Sequence, residues 1–147
     1  MLAYRQLQQH DYREQGMLTA SDVMTTDLVT IRPEASIKEA TELLILKEIS
    51  GLPVVDDQQR LVGVITEFAL LAMVYDQDVQ HHSVSRHMTR EVITIDVDDP
   101  INRIADLCIV HRVRRVPVMK AGRMVGLIAR RDVLKALYQS TLQPCLA

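Results

Sequence analysis

Tryptophan is absent from this 147-residue chain, and phenylalanine occurs once, at Phe68. Any core must therefore come from Leu, Ile, Val and Met, within a composition that is 48% hydrophobic. The scarcity of aromatic rings, four tyrosines beside Phe68, also argues against a surface that stacks on unpaired bases. No apolar run approaches the roughly 20 residues of a membrane-spanning helix. The opening stretch MLAYRQLQQHDYREQG has no apolar centre of the kind a signal peptide needs. A soluble cytoplasmic protein without a membrane partner is the expectation. The two cysteines, Cys108 and Cys145, form no CxxC pair, which fits a reducing compartment. Cys108 falls in an apolar helical pattern and is expected to act as a small buried hydrophobe. The histidines, His10, His81, His82, His87 and His111, lack helical i, i+4 spacing or cysteine partners. No glycine-rich phosphate loop and no nucleophile–base motif occurs. Catalysis, a metal and a required cofactor are accordingly not expected.

The formal net charge of −2 conceals an asymmetry. Residues 21–79 hold four basic and eleven acidic side chains, a balance of −7, and residues 80–147 hold eleven and six, a balance of +5. The basic half could attract a phosphate-bearing ligand or a nucleic acid. It could equally dock on the acidic half.

What is present in place of motifs is a repeat. SGLPVVDDQQRLVGVIT, from Ser50, returns as RRVPVMKAGRMVGLIA, from Arg114. Met24-Thr25 matches Met88-Thr89, Ile37 matches Ile101 and Pro53 matches Pro117, at an offset of 64. The offset becomes 63 after a polar turn, so Gly63 matches Gly126. A repeat fixes architecture before any single element does.

Each copy reads strand, helix, strand, strand, helix. LVTI and VITI are short β-branched runs. Ser36 and Glu39 form a capping box ahead of an apolar stripe at Ile37, Ala40, Leu43 and Leu44. In the second copy Asp99 suits the cap, Pro100 the first helical position, and the stripe is Ile101, Ile104, Leu107 and Cys108. LPVVD with LVGVI, and VPVM with MVGLI, read as hairpins. TEFALLAMVYD and RRDVLKALYQS read as closing helices. These imply an N-terminal arm or helix over 1–20, units over 21–79 and 80–140, and a tail over 141–147. One unit of this size is marginal alone. Packing through the small sheets gives an α+β fold, with α/β-type repeats, pseudo-two-fold symmetry and clefts where small ligands lodge. The closing helices carry surplus apolar positions, Leu70, Leu71, Met73, Val74, Leu134, Leu137 and Tyr138, which predict a homodimer.

These motifs resemble the CBS (cystathionine-β-synthase-type) domain, specifically in the first copy and through register in the second. Together they resemble a stand-alone tandem pair, or Bateman module. The resemblance implies regulation rather than chemistry: binding of an adenosine-containing ligand such as AMP, ADP, ATP, S-adenosylmethionine or NADH, and signalling to a regulated protein. In the family a loop G-h-x-[Ser/Thr]-x-x-Asp, with h apolar, supplies a carboxylate for the ribose hydroxyls, a charge-assisted contact. Its hydroxyl and the following helix N-terminus face phosphate.

Each copy lacks one piece of that loop. The first, Gly63 to Ala69, keeps Thr66 but has Ala69 in the Asp position. The second, Gly126 to Asp132, keeps Asp132 but has Ala129 in place of the hydroxyl. The resemblance therefore implies a better cleft of Val29, Thr30, Ile49, Ser50, Leu52, Pro53, Ala129, Arg130, Arg131 and Asp132. The arginines there can offset the missing hydroxyl by pairing a phosphate. A weaker cleft would hold Thr66, Glu67, Ile93, Val113, Arg114, Arg115 and Pro117. Two other readings stand beside this one: a dimerisation or docking scaffold that has lost its ligand, and a nucleic-acid binder using the basic copy. The last is disfavoured by the scarcity of aromatics and by the absence of a helix-turn-helix pattern.

Overall fold

Ser36 starts the first long helix as its sequence requires. Its hydroxyl accepts from the Glu39 N–H at 3.0 Å, while the Glu39 carboxylate accepts from the Ser36 N–H at 3.0 Å. Two of the four unpartnered donors of a helix start are thereby satisfied. The computed structural model describes residues 17–141. Residues 1–16 of the predicted arm over 1–20 and most of the tail lie outside them, as does Cys145. The elements are α1 (Ala20–Val23), α2 (Ile37–Lys47), β1 (Gly51–Val55), β2 (Leu61–Thr66), α3 (Glu67–Met73), α4 (Val84–His87), β3 (Ile95–Asp96), α5 (Ile101–His111), β4 (Arg115–Lys120), β5 (Arg123–Ala129) and α6 (Arg130–Thr141). A 3-10 turn at Val79–His81 precedes α4.

Both hairpins form. β1 and β2 pair antiparallel, with Gly51 opposite Thr66 and Leu52 opposite Ile65. Asp56 holds their loop by accepting from the Gln58 and Arg60 N–H groups, each at 2.9 Å. β4 and β5 join through Ala121 and Gly122, at φ 50° and 78°. Positive φ at both central residues gives the backbone twist that a two-residue hairpin needs.

The predicted first strands are shorter than their β-branched runs. LVTI is no strand: Ile31 alone bridges Val54, in parallel. VITI contributes only Ile95 to β3, which pairs parallel with β4 from Val118 onward. Proline explains both. The Ile31 N–H donates to the Pro53 carbonyl, and the Ile31 carbonyl accepts from the Val55 N–H. The next bond toward the N-terminus needs an N–H at residue 53, which proline lacks. Pro117 occupies the matching place. The start of α5 also differs by one position. Pro100 is its N-cap, with extended backbone, and Asp99 instead accepts from the Asp96 N–H at 2.8 Å and faces Arg103 at 3.5 Å.

The chain divides into two compact units. One comprises residues 27–93 with 121–124; the other comprises, among the described residues, 17–26, 94–120 and 125–141. The short opening segment of each sequence copy thus groups with the body of the other copy. In the first unit the Val84 N–H donates to Ala35 O at 2.7 Å, and Thr89 and Val64 exchange two 2.9 Å bonds. In the second, the Ala20 N–H donates to Asp99 O at 2.9 Å, and Thr25 and Leu127 exchange bonds of 2.9 and 3.0 Å.

Each unit has its own core. Ile37, Leu44, Leu52, Val54, Ile65, Leu70 and Val84 fill one. Ile101, Cys108, Val116, Val118, Ile128, Val133 and Ala20 fill the other at matching positions. Full burial of such aliphatic side chains stabilises by about 1.5–3 kcal/mol each. Leu70 is therefore a core residue and not part of the surface surplus; Met73 and Leu137 are half-buried against their cores.

Candidate functional site

In the unit of residues 27–93, one end of the β1–β2 hairpin gathers several predicted residues. The Glu67 N–H donates to the Ser50 carbonyl at 2.9 Å, tying the approach to β1 to the start of α3. Ile49, Ser50, Thr66 and Glu67 are thereby neighbours. Thr66 is the N-cap of α3, its hydroxyl accepting from the Ala69 N–H at 3.3 Å. The hydroxyl hydrogen stays available for an acceptor. Val29 and Thr30 lead into the Ile31 bridge and are half-buried, as is Ile93. Leu52 is fully buried and Pro53 is buried, so what they can offer a ligand is backbone. Phe68 is 81% exposed and covers nothing in this loop.

The other unit repeats the arrangement. The Arg130 N–H donates to the Arg114 carbonyl at 2.7 Å, the counterpart of the Glu67–Ser50 bond. Ala129 precedes α6 without a side-chain oxygen to cap it. Asp132 follows in the first turn, where the helix dipole favours an acid. Arg114, Arg115, Arg130, Arg131 and Asp132 are exposed, Val113 is half-buried and Pro117 buried. Within this unit none of the four arginines pairs with a carboxylate among the described residues. Arg130 and Arg114 are joined through backbone beside Asp132. Arg131 instead shares an i, i+3, i+7 stripe with Leu134 and Tyr138.

Both loops approach the helices through a left-handed residue, Glu48 at φ 54° and Arg112 at φ 52°. Neither is glycine, so each holds strain of order 1 kcal/mol or more. The pair sits immediately before Ile49-Ser50 and Val113-Arg114, and no feature of the sequence pointed to it.

The loop glycines have a structural cause that sequence reasoning missed. A Cβ on Gly63 would lie 2.7 Å from Met88 Sδ and 2.8 Å from the Thr89 carbonyl oxygen. A Cβ on Gly126 would meet the Met24 side chain, with Met24 Cγ at 2.9 Å. Each opening segment thus sets a methionine directly on a loop glycine.

Two other groups were weighed from sequence. His82 Nδ1 and His87 Nε2 are 2.9 Å apart, with the rings nearly parallel. Burial lowers the His87 pKa below the ordinary histidine value, with further contributions from the charges of His82 and Arg86. No cluster of three or more His, Cys, Asp or Glu that could hold a metal occurs among the described residues. Cys108 is a buried free thiol whose pKa burial pushes up, with Arg130 opposing. Among the described residues no helix is long and apolar enough to cross a membrane.

Two hairpin-and-helix units of this kind, one with an acid in its loop and one with a hydroxyl, define a pair of CBS domains. The chain belongs to the CBS domain family, whose model matches residues 20–76 and 84–139. The chain is similar to the solved structure of CBSX2, a CBS-pair protein from Arabidopsis thaliana, in complex with AMP. That likeness has 31% identity and a TM-score of 0.75 over 83% of this chain and 97% of that one. It is also similar to the CBS domain pair of protein MJ0100 in complex with 5′-methylthioadenosine and S-adenosyl-L-methionine. There the identity is 28% and the TM-score 0.72, over 85% and 99% of the two chains. Among curated relatives, inosine-5′-monophosphate dehydrogenase of Methanocaldococcus jannaschii is 30% identical over 130 residues, 88% of this chain. The chain spans 25% of that enzyme and 41% of the uncharacterized protein MJ1225 from the same organism, to which it is 29% identical.

Proposed function

We propose that this CBS pair is a non-catalytic regulatory module that binds an adenosine-containing ligand and passes its bound state to a regulated protein. The observation that carries the reading is Asp132. It is exposed in the first turn of α6, and among the described residues neither it nor the neighbouring Arg130 and Arg114 enters an ion pair. The carboxylate accepts hydrogen bonds from the two ribose hydroxyls, and Arg130 meets a phosphate or a carboxylate tail. AMP in CBSX2 and S-adenosyl-L-methionine in the MJ0100 pair support the ligand class. The module is further proposed to work as a homodimer in the cytoplasm, and no cofactor enters the proposal.

A thermal-shift screen with AMP, ATP, S-adenosylmethionine and NADH tests the proposal. A ligand at 100 times its dissociation constant stabilises by about 2.7 kcal/mol, so at least one compound should raise the midpoint by several degrees. A screen with no shift favours the scaffold reading.

The first loop carries the converse expectation. Thr66 caps α3, Phe68 is exposed, and Ala69 is half-buried in the first turn of α3. Ala69→Asp puts an acid where the helix dipole favours it. Binding stoichiometry per chain should move from one towards two, with little change in the stability of the free protein. Unchanged stoichiometry would remove Thr66, Glu67 and their loop from the candidate sites.

A further inference from the structure

We propose that His82 and His87 form a pH-sensitive clamp, which holds residues 82–89 on β2 while the pair carries at most one positive charge and releases them when both rings are charged. The clamp belongs to the unit of residues 27–93 alone, and it needs no ligand in either candidate loop.

The geometry of the pair is that of a shared proton. His82 Nδ1 and His87 Nε2 are 2.9 Å apart, and the ring planes differ by 5°. The ring centroids are 5.1 Å apart, close to that contact lengthened by one ring radius at each end. The two nitrogens therefore lie near the line joining the centroids, and the rings meet edge to edge. One nitrogen donates its N–H and the other accepts on its lone pair. Lone pairs that chelate a metal would instead converge on a third point. A neutral pair and a singly charged pair both leave one proton between the rings. A doubly charged pair sets two N–H groups against each other, with no acceptor and with two like charges in contact.

The repeat register shows what the pair replaces. At the offset of 64, His82 corresponds to Leu18 and His87 to Val23. The backbone around them is otherwise the same in both units. The His82 carbonyl accepts from the Ile37 N–H at 2.9 Å, as the Leu18 carbonyl accepts from the Ile101 N–H at 3.0 Å. Val64 and Thr89 exchange bonds as Leu127 and Thr25 do. One unit thus carries an apolar pair at these positions, and the other a titratable pair. Next to His87, Met88 lies on Gly63 and Thr89 bridges Val64, two residues before Thr66. Opening the clamp frees the segment that braces this loop.

No carboxylate is placed to steady the second charge. α4 packs on β2, which has no titratable side chain from Leu61 to Thr66, and the 3-10 turn packs on α2. On α2, Glu39 is held by the Ser36 N–H and Glu42 faces Lys38 at 3.9 Å, while Lys47 stands at the far end. On the segment itself, Asp76 accepts from the Asp78 N–H, Arg90 donates to the Ser85 carbonyl, and His81 is exposed. Among the described residues neither histidine of the pair enters an ion pair. Burial holds the His87 pKa down, and the charges of His82 and Arg86 add to it. The released segment accordingly binds a proton that the closed pair refuses. Closure is complete above the ordinary histidine value and weakens as pH falls below it.

Amide exchange in the whole chain, corrected for intrinsic rates, tests the clamp between about pH 7.5 and about pH 5.5, on either side of the ordinary histidine value. Protection at Val64 and Thr89 should fall with acid, by up to about tenfold for each pH unit below that value. Protection at Leu127 and Thr25 should stay level. In a His82→Leu, His87→Val chain, which carries the residues of the other copy, the acid response at Val64 and Thr89 should disappear. An equal response in the wild type and in that variant overturns the proposal. A second readout needs no variant. Imidazole nitrogen shifts, followed by NMR, should show the pair taking up its two protons in separate steps. Both rings fully charged while Val64 and Thr89 remain protected would overturn the proposal as well.

Discussion

Gly63→Ala should lower the stability of the protein by about 3 kcal/mol, the upper part of the range for forcing an extra methyl into a packed site. The added Cβ would lie 2.8 Å from the Thr89 carbonyl oxygen. That oxygen accepts from the Val64 N–H at 2.9 Å, so it cannot move without breaking the bridge that holds the opening segment to β2. Met88 Sδ at 2.7 Å adds a second clash. Gly126→Ala provides the control. Its Cβ meets the Met24 side chain, and no backbone atom is among its three nearest contacts. A methionine has three rotatable bonds with which to swing away, so the cost should be nearer 1 kcal/mol. Removing the obstructing side chain sharpens the comparison. Met24→Ala should restore part of the stability lost in Gly126→Ala, whereas Met88→Ala should leave Gly63→Ala strongly destabilised. Urea unfolding of the wild type, the two glycine variants and the two double variants measures this. Equal costs at the two glycines would show that the segment holding Thr89 yields as readily as a side chain.

Asp132→Ala should weaken an adenosine ligand by about 10- to 150-fold, the equivalent of the 1.5–3 kcal/mol that hydrogen bonds to a charged group contribute. It should also abolish discrimination between ribose and 2′-deoxyribose, because the second hydroxyl loses its acceptor. The free protein will lose some stability in the same variant, since an acid in the first helical turn contributes about 0.3–1 kcal/mol through the dipole. The two effects separate cleanly: one appears in the calorimetric affinity and the other in the ligand-free unfolding midpoint. Asp132→Asn keeps an acceptor without the charge and should fall between. Unchanged affinity in Asp132→Ala would leave only the dipole role for this residue.

Much of this was legible because the chain states its plan twice. The repeat, at an offset of 64 and then 63, located both hairpins and the unequal loops at Ala69 and Ala129, and the spacing of Ser36 and Glu39 located the capping box. The structure adds that the offset extends to single hydrogen bonds, as in Glu67–Ser50 and Arg130–Arg114. The grouping of the opening segments was not legible for a physical reason. DVMTT and SRHMTR are too short to show a period, so nothing in them says which body they will join; that is decided by Met24 and Met88 fitting against glycine. The first strands were overestimated because β-branched content reports propensity, whereas the ladder is limited by the missing N–H of Pro53 and Pro117. Leu70 was placed on a surface although it lies in the core, and Leu52 is buried at the end of its strand. Their one-dimensional patterns do not distinguish the two sides of a short element packed on both.

The central claim is that an adenosine-containing ligand binds here with Asp132 as its ribose acceptor. Its most direct measurement is calorimetric titration of AMP and of S-adenosylmethionine into the wild-type protein. The account predicts saturable binding of at least one of them, near one equivalent per chain. The absence of any saturable heat with either, at concentrations that fill an ordinary millimolar site, would contradict it.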